Sequence, residues 1–321
     1  MTEALPSSAS RPRPAFWEQF SRADLIFGAA IVVLVIFAAL ASDAFLTQRN
    51  IVNISRQIVT NGFLSLGMLM VIRTGGIDLS VGSVLAFSGL LATGLQEQMH
   101  FSLAILIALA MGVAVGWING FLIARFNLQP FIVTLATMGS LRGGLYVYAD
   151  TPRYPADEMF RAVLGGAFVG PVPVNFILFA IAVPAVWFYL NHTVSGRAAF
   201  ALGVNKEAVR LAGVDVGKHL IFAYVACGLF AAIAGVLLAS RLGIAQPSVG
   251  AGYELDAIAA VVIGGGLLGG GGGTATGVVG GVLALAVVDN VLNLFNVDSY
   301  YQQLLKGLII LIAVLARRKK A

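Results

Sequence analysis

The chain has 321 residues, 59% hydrophobic and only 11% charged, and a mean hydropathy of +0.91. A soluble domain carries about 25% charge and 45–50% apolar residues, so the composition excludes one and marks an integral membrane protein. The net charge of +5 does not point to nucleic acid, because the bases cluster in loops and at the C-terminal tail, as membrane topology requires.

Residues 1–24 are polar and proline-dotted, and the apolar run from Leu25 lacks a small-residue cleavage site. They read as a cytoplasmic segment before an uncleaved first span. Ten hydrophobic segments follow, at roughly 25–42, 57–73, 80–95, 103–124, 131–149, 175–190, 221–239, 254–268, 274–293 and 303–316. Three of them (80–95, 254–268 and 303–316) fall short of the ~20 residues of a full helical crossing, which predicts tilted, broken or re-entrant helices. The 38 glycines suit closely packed membrane helices. The expected fold is therefore all-α: a single membrane domain over 25–316 with about ten spans, followed by a basic tail, 317–321.

Lys and Arg set the orientation. With the N-terminus inside, thirteen bases fall on the inner side and five (Arg49, Arg56, Arg153, Arg161 and Arg241) on the outer side, while Arg142 and Lys306 fall within spans. Both termini are then cytoplasmic. So is a polar island, 191–220, while the proline-containing loop 150–174 forms an external lip.

The chain also repeats itself. Arg73-Thr-Gly-Gly-Ile-Asp-Leu-Ser-Val-Gly82 resembles Arg241-Leu-Gly-Ile-Ala-Gln-Pro-Ser-Val-Gly250, with both the arginines and the Ser-Val-Gly triplets 168 residues apart. Phe126-Asn-Leu and Phe295-Asn-Val stand 169 apart. Five spans per half is an odd number, so the halves would be inverted, an arrangement typical of transporters with the path at the repeat interface.

Several places could carry chemistry. Gly75, Gly76, Asp78, Ser80 and Gly82 break the second and third segments. They are either a hinge lining a pathway or a helix cap at the cytoplasmic interface, in which Ser80 or Asp78 accepts free N–H groups. Ser248 and Gly250 occupy the matching break. Glu254 and Asp256 either cap the eighth segment or dock an external protein. The run Gly264–Gly273 lacks the Gly-Lys-Ser/Thr ending of a phosphate loop and reads as a flexible turn. Asp289, Arg142 and Lys306 are isolated along the sequence, which favours snorkelling or helix pairing over a proton relay. Cys227 is the sole cysteine, which rules out an internal disulfide, and His100, His192 and His219 lack metal-ligand spacing. No catalytic arrangement or metal site is legible.

The island offers one more element. Asn205 can cap a short helix with Glu207 in its first turn and Gly213 at its end. Ala208, Leu211 and Ala212 give it an apolar face, and Lys206 and Arg210 lie four apart. Such a helix fits a cleft in a cytoplasmic partner; the other reading is an amphipathic helix lying on the membrane.

Taken together, G-G-I-D-L-S-V-G-S at 75–83, N-G-F-L-I-A at 119–124, the Phe131–Gly144 run, A-L-G-V-N-K-E-A-V-R-L-A-G at 201–213, Q-P-S-V-G-A-G-Y-E-L-D-A-I-A-A-V-V-I-G-G at 246–265 and Ser299-Tyr-Tyr-Gln-Gln resemble the ribose-type permeases of bacterial ABC sugar importers. The resemblance runs in order over roughly 25–318; Val204, where the family often has a second glycine, departs from it. It implies ten spans, a second permease copy or paralogue, a cytoplasmic ABC ATPase and a periplasmic sugar-binding protein. It also implies that Asn205–Gly213 is a coupling helix. The chain itself would bind no cofactor; ATP and Mg would be used by the partner ATPase, which agrees with the missing nucleotide motif. Alternatives are an ABC permease for an amino acid or polyol, and an ion-coupled secondary transporter.

Overall fold

The computed structural model describes residues 22–166, 168–169 and 172–317. The predicted N-terminal segment, apart from its last three residues, and the basic tail beyond Arg317 lie outside them. Five long elements come first: α1 (Arg22–Ala41), α2 (Gln48–Arg73), α3 (Val81–Gly94), α4 (Phe101–Phe126) and α5 (Pro130–Tyr148). A single turn, α6 (Glu158–Phe160), and a two-stranded hairpin, β1 (Phe168–Val169) and β2 (Val172–Pro173), fill the next loop. Then come α7 (Val174–His192), α8 (Val194–Val204), α9 (Lys206–Leu211), α10 (Val216–Leu242), α11 (Tyr253–Ile263), α12 (Ala275–Leu294) and α13 (Ser299–Arg317). The predicted apolar segments fall on α1–α5, α7 and α10–α13. By length and composition, α4, α7, α10 and α12 are apolar enough to cross a membrane, and beyond the hairpin the described residues hold one isolated β-bridge. The protein is an all-α membrane protein.

Local chemistry fixes where the helices start. Oxygens of Thr47, Thr193, Asn205, Asp215 and Thr274 accept an N–H from the first turns of α2, α8, α9, α10 and α12, satisfying donors that have no partner inside the helix. The α2 helix begins nine residues before the predicted span, at Gln48, where Thr47 caps it and Asn50 is buried against α12. Asn50 and Asn290 exchange amide hydrogen bonds of 2.9 and 2.7 Å between α2 and α12.

α10 is the central post, packed against α2, α3 and α4. Its pairing with α4 depends on small residues. Ala104, Ala108, Gly112, Gly116 and Gly120 recur every four residues on one face of α4, and all are buried. A Cβ on Gly116 would run into the backbone of Tyr224 and Val225, and one on Gly112 into the carbonyl of Gly228. The backbones therefore approach more closely than any side chain would allow, which is how apolar helices gain contact where lipid is as oily as their own surface. On the opposite face of α4, Leu103, Leu106, Trp117 and Ile118 are exposed.

A large side chain should break this seam. Gly116→Leu is expected to lower stability by about 1–3 kcal/mol or more, read as loss of monodisperse protein after detergent extraction and a lower thermal aggregation midpoint. Gly139→Leu, at a position with open space around it, should be neutral. Equal behaviour of the two variants would show that the seam does not govern packing.

Candidate functional site

Two chain breaks meet inside the bundle. The first, 74–80, follows α2; the second, 243–252, follows α10. A Cβ on Gly82 would strike the carbonyl of Gly250, and a Cβ on Gly250 would strike the carbonyl of Gly82. These two glycines, 168 residues apart in sequence, thus face one another directly. Gly250 also has φ of 86°, a conformation other residues adopt only with strain.

Each break is held by polar contacts from its neighbours. In the first, Asp78 and Ser80 are fully buried. Ser80 donates from both its backbone N (2.9 Å) and Oγ (2.6 Å) to Asp78 Oδ1. Asn119 Nδ2 of α4 donates to Ser80 Oγ (3.0 Å), and Thr137 Oγ1 of α5 donates to Asn119 Oδ1 (2.6 Å). In the second, Arg142 Nη1 of α5 donates to the carbonyls of Val249 (2.7 Å) and Pro247 (3.2 Å). Buried backbone that has left its helix must find partners within the protein, and these side chains supply them.

These positions correct three sequence readings. Ser80 precedes α3 but makes no side-chain cap; its Oγ bonds Asp78 instead, and both residues are buried within the protein. Arg142 neither snorkels nor stands alone. Glu254 Oε1 accepts the N–H of Gly252 at 3.2 Å, but Asp256 does not cap α11. Instead it turns inward, 14% exposed, to pair with Lys306 at 3.0 Å.

Lys306 also pairs with Asp289 Oδ2 at 3.0 Å, so three charges that are isolated in sequence form one junction of α11, α12 and α13. A second buried junction, Asp78–Ser80–Asn119–Thr137, joins the first break to α4 and α5.

The polar island lies at one end of the bundle and contains two helices; the sequence reading found only α9. Asn205 Oδ1 accepts the N–H of Ala208 at 3.0 Å, and Gly213, with φ of 78°, turns the chain away after the helix. Arg210 Nε donates to Glu207 Oε2 at 2.9 Å, and Lys206 Nζ donates to Asn127 Oδ1 at 2.7 Å. The two bases thus have different partners on different sides. The Arg210 hydrogen bond, assisted by its charge, holds the Glu207 carboxyl below the ordinary carboxylate range. Val209 is buried against the bundle, whereas Leu211 is 76% exposed, although Ala208, Leu211 and Ala212 read as one apolar face.

α8, the element missed in sequence, connects this end to the core. A Cβ on Gly203 would strike the carbonyl of Arg73 and the backbone of Gly270 and Gly271. Gly271 N donates to the Arg73 carbonyl at 3.2 Å, and the Arg73 guanidinium lies 5.3 Å from the Phe200 ring centre. The glycine run 264–273 is therefore a turn, as expected, but one pinned between α8 and the end of α2.

At the opposite end, Arg153 and Ala245 exchange backbone hydrogen bonds of 2.9 Å, joining the loop 150–174 to the second break. Arg56 lies over the Phe168 ring, and the Arg161 side chain lies against Gly243. Arg49, Arg56, Arg153, Arg161 and Arg241 gather at this end, while Arg73, Arg125, Arg197, Lys206, Arg210 and Lys218 gather at the other.

Comparison with known proteins agrees with this geometry. A family model described as a branched-chain amino acid transport system permease component matches residues 50–314. The ribose import permease RbsC of Escherichia coli K12 is 42% identical over 296 residues, 91% of this chain and 92% of that one. The same permease of Bacillus subtilis is 42% identical over 295 residues, 91% of each chain. The L-arabinose ABC transporter permease AraH of Azospirillum brasilense is 37% identical over 98% of this chain and 93% of its own. No solved structure matches the chain. A two-break helical core spanned end to end by that alignment places the chain in this family: it belongs to the ribose-type permeases, the membrane subunits of ABC importers.

Proposed function

We propose that the chain forms the translocation path for a monosaccharide, delivered from outside by a periplasmic binding protein and driven by an ATPase on a separate cytoplasmic polypeptide. The observation that carries this is the family match, in which the relatives are named for ribose, L-arabinose and D-allose. The amino-acid alternative rests only on the wording of the family description, whereas these named relatives are sugar permeases. An ion-coupled mechanism finds less support: the buried acids Asp256 and Asp289 are both already paired with Lys306.

The mechanism has a structural route. The α8–α9 end faces the cytoplasm, supported by the segregation of arginines and lysines between the two ends. α9, from Asn205 to Gly213, is the coupling helix, and it moves with α8. Displacement of α8 reaches Arg73 and Gly271 directly, and through them the ends of α2 and the 264–273 turn. The breaks that meet at Gly82 and Gly250 are the hinge of the pathway. Ten transbilayer elements in two inverted halves, α1–α5 against α7 and α10–α13, account for the parallel order of long helix, break and short helix. A second permease copy or paralogue would complete the path. The loop 150–174, tied to 243–252, with Glu254 at its edge, is the docking face for the binding protein; Asp256, turned inward, serves the core.

Reconstitution of the permease with its ATPase and binding protein in liposomes should give ATP-dependent monosaccharide uptake; uptake that persists without the ATPase would sink this mechanism. Glu207→Arg and Gly213→Leu should each lower uptake by about tenfold or more, within the 1–3 kcal/mol typical of coupling between sites, with protein yield retained. Normal uptake in both would remove α9 from the coupling role. Because the Glu207 pKa is lowered, its ion pair is complete above the ordinary carboxylate range and is lost only as pH falls through the lowered value. Glu207-dependent coupling should accordingly be flat from about pH 6 to 8, well above the carboxylate range; a steep change in uptake there that Glu207→Gln abolishes would contradict it.

A further inference from the structure

A base in the last turn of a helix ordinarily meets the free carbonyls there or reaches water. Arg73 closes α2, yet it is 7% exposed, and its Nε and Nη1 are buried without a hydrogen-bond partner. Among the described residues no carboxylate pairs with it. A buried cation in this position is costly unless something offsets it.

The offset comes from α8. The Arg73 guanidinium lies 5.3 Å from the centre of the Phe200 ring, inside the ~6 Å over which an aromatic face attracts a cation. The attraction strengthens when the pair is out of water. It acts through the negative face of the ring, so it draws in the charge without using the two unmet donors. Phe200 and Gly203 are three residues apart on α8 and so share a face of the helix. Gly203 meets the Arg73 carbonyl, and Phe200 meets the Arg73 side chain.

Phe200 is itself 41% exposed and lines the apolar groove between α8 and α9, together with Ala208 and Val209. One side chain thus borders both the groove beside α9 and the buried charge. Moving α8 off α2 would strip the ring from the cation before the gap is wide enough for water. A buried charge that loses its partner is strongly destabilising, so the pair resists the first step of that separation.

From this we infer that Arg73 and Phe200 form a latch that keeps α8, with α9 attached, seated on the end of α2. A displacement of α9 then reaches the first break instead of being lost as slippage of α8. Both are positioning residues, acting through the helices they join. The inference rests on the importer reading and adds to it the contact that sets how much sugar moves per ATP.

The test uses the importer reconstituted with its ATPase and binding protein in liposomes, and reads sugar moved per ATP hydrolysed. The probe sugar is whichever of D-ribose, L-arabinose and D-allose the wild-type importer takes up. Phe200→Leu keeps an apolar side chain and removes the ring; it should lower the ratio about tenfold, the change that ~1.4 kcal/mol produces. Phe200→Tyr restores an aromatic face and should return the ratio to about half the wild-type value or more. In an Arg73→Met background, where the charge is gone, Phe200→Leu should cost less than about twofold. A merely apolar role for Phe200 would cost the same factor in both backgrounds. That result, or a Phe200→Leu ratio equal to wild type, overturns the latch and leaves the importer function intact. Should Arg73→Met not survive extraction, the Leu and Tyr variants decide alone, and equal losses in the two overturn the latch. A wild-type importer that takes up none of the three sugars with ATP overturns the sugar function itself, and the latch with it.

Discussion

The contact between Gly82 and Gly250 is the constraint around which the molecule is arranged. Two chain segments leave their helices inside the bundle and meet with no side chain between them. In a bilayer each freed backbone group must find a partner within the protein. Asp78 accepts the N–H of Ser80 at the first break, where Asn119 and Thr137 hold the Ser80 side chain, and Arg142 binds the carbonyls of the second. The close approach of α4 to α10, made possible by Gly112 and Gly116, brings Asn119 within reach of the break.

The two ends of the molecule communicate with this centre by different means. At the α8–α9 end the link is backbone against backbone: Gly203, Gly270, Gly271 and the carbonyl of Arg73 leave no room to slide independently. These contacts hold α8 to the end of α2 without any side chain whose rotation could loosen them. At the other end the link is a short pair of hydrogen bonds between Arg153 and Ala245, which ties the loop 150–174 to the second break.

The two polar junctions divide the chemistry. Ser80, Asn119 and Thr137 are chained to the buried carboxyl of Asp78 at the first break. Asp256, Asp289 and Lys306 place full charges between α11, α12 and α13, and their mutual pairing offsets the cost of burying them. The first junction holds a chain break, and the second joins three helices.

Much of this was legible in the sequence, because hydrophobic length, base distribution and capping chemistry are local. The apolar runs give the positions of the membrane helices, and Asn205, Glu207 and Gly213 define α9. What tertiary structure alone decided is where polar residues point. In sequence Asp256 reads as a cap or as a docking group, since both need only an acid near a helix start. Packing of α11 against α13 turns it inward to Lys306. Gly264–Gly273 reads as a slack turn because glycine has no local preference, yet contact with Gly203 fixes it. Periodicity reports which face of a helix is oily; which distant residue a buried charge meets is a property of the packed chain.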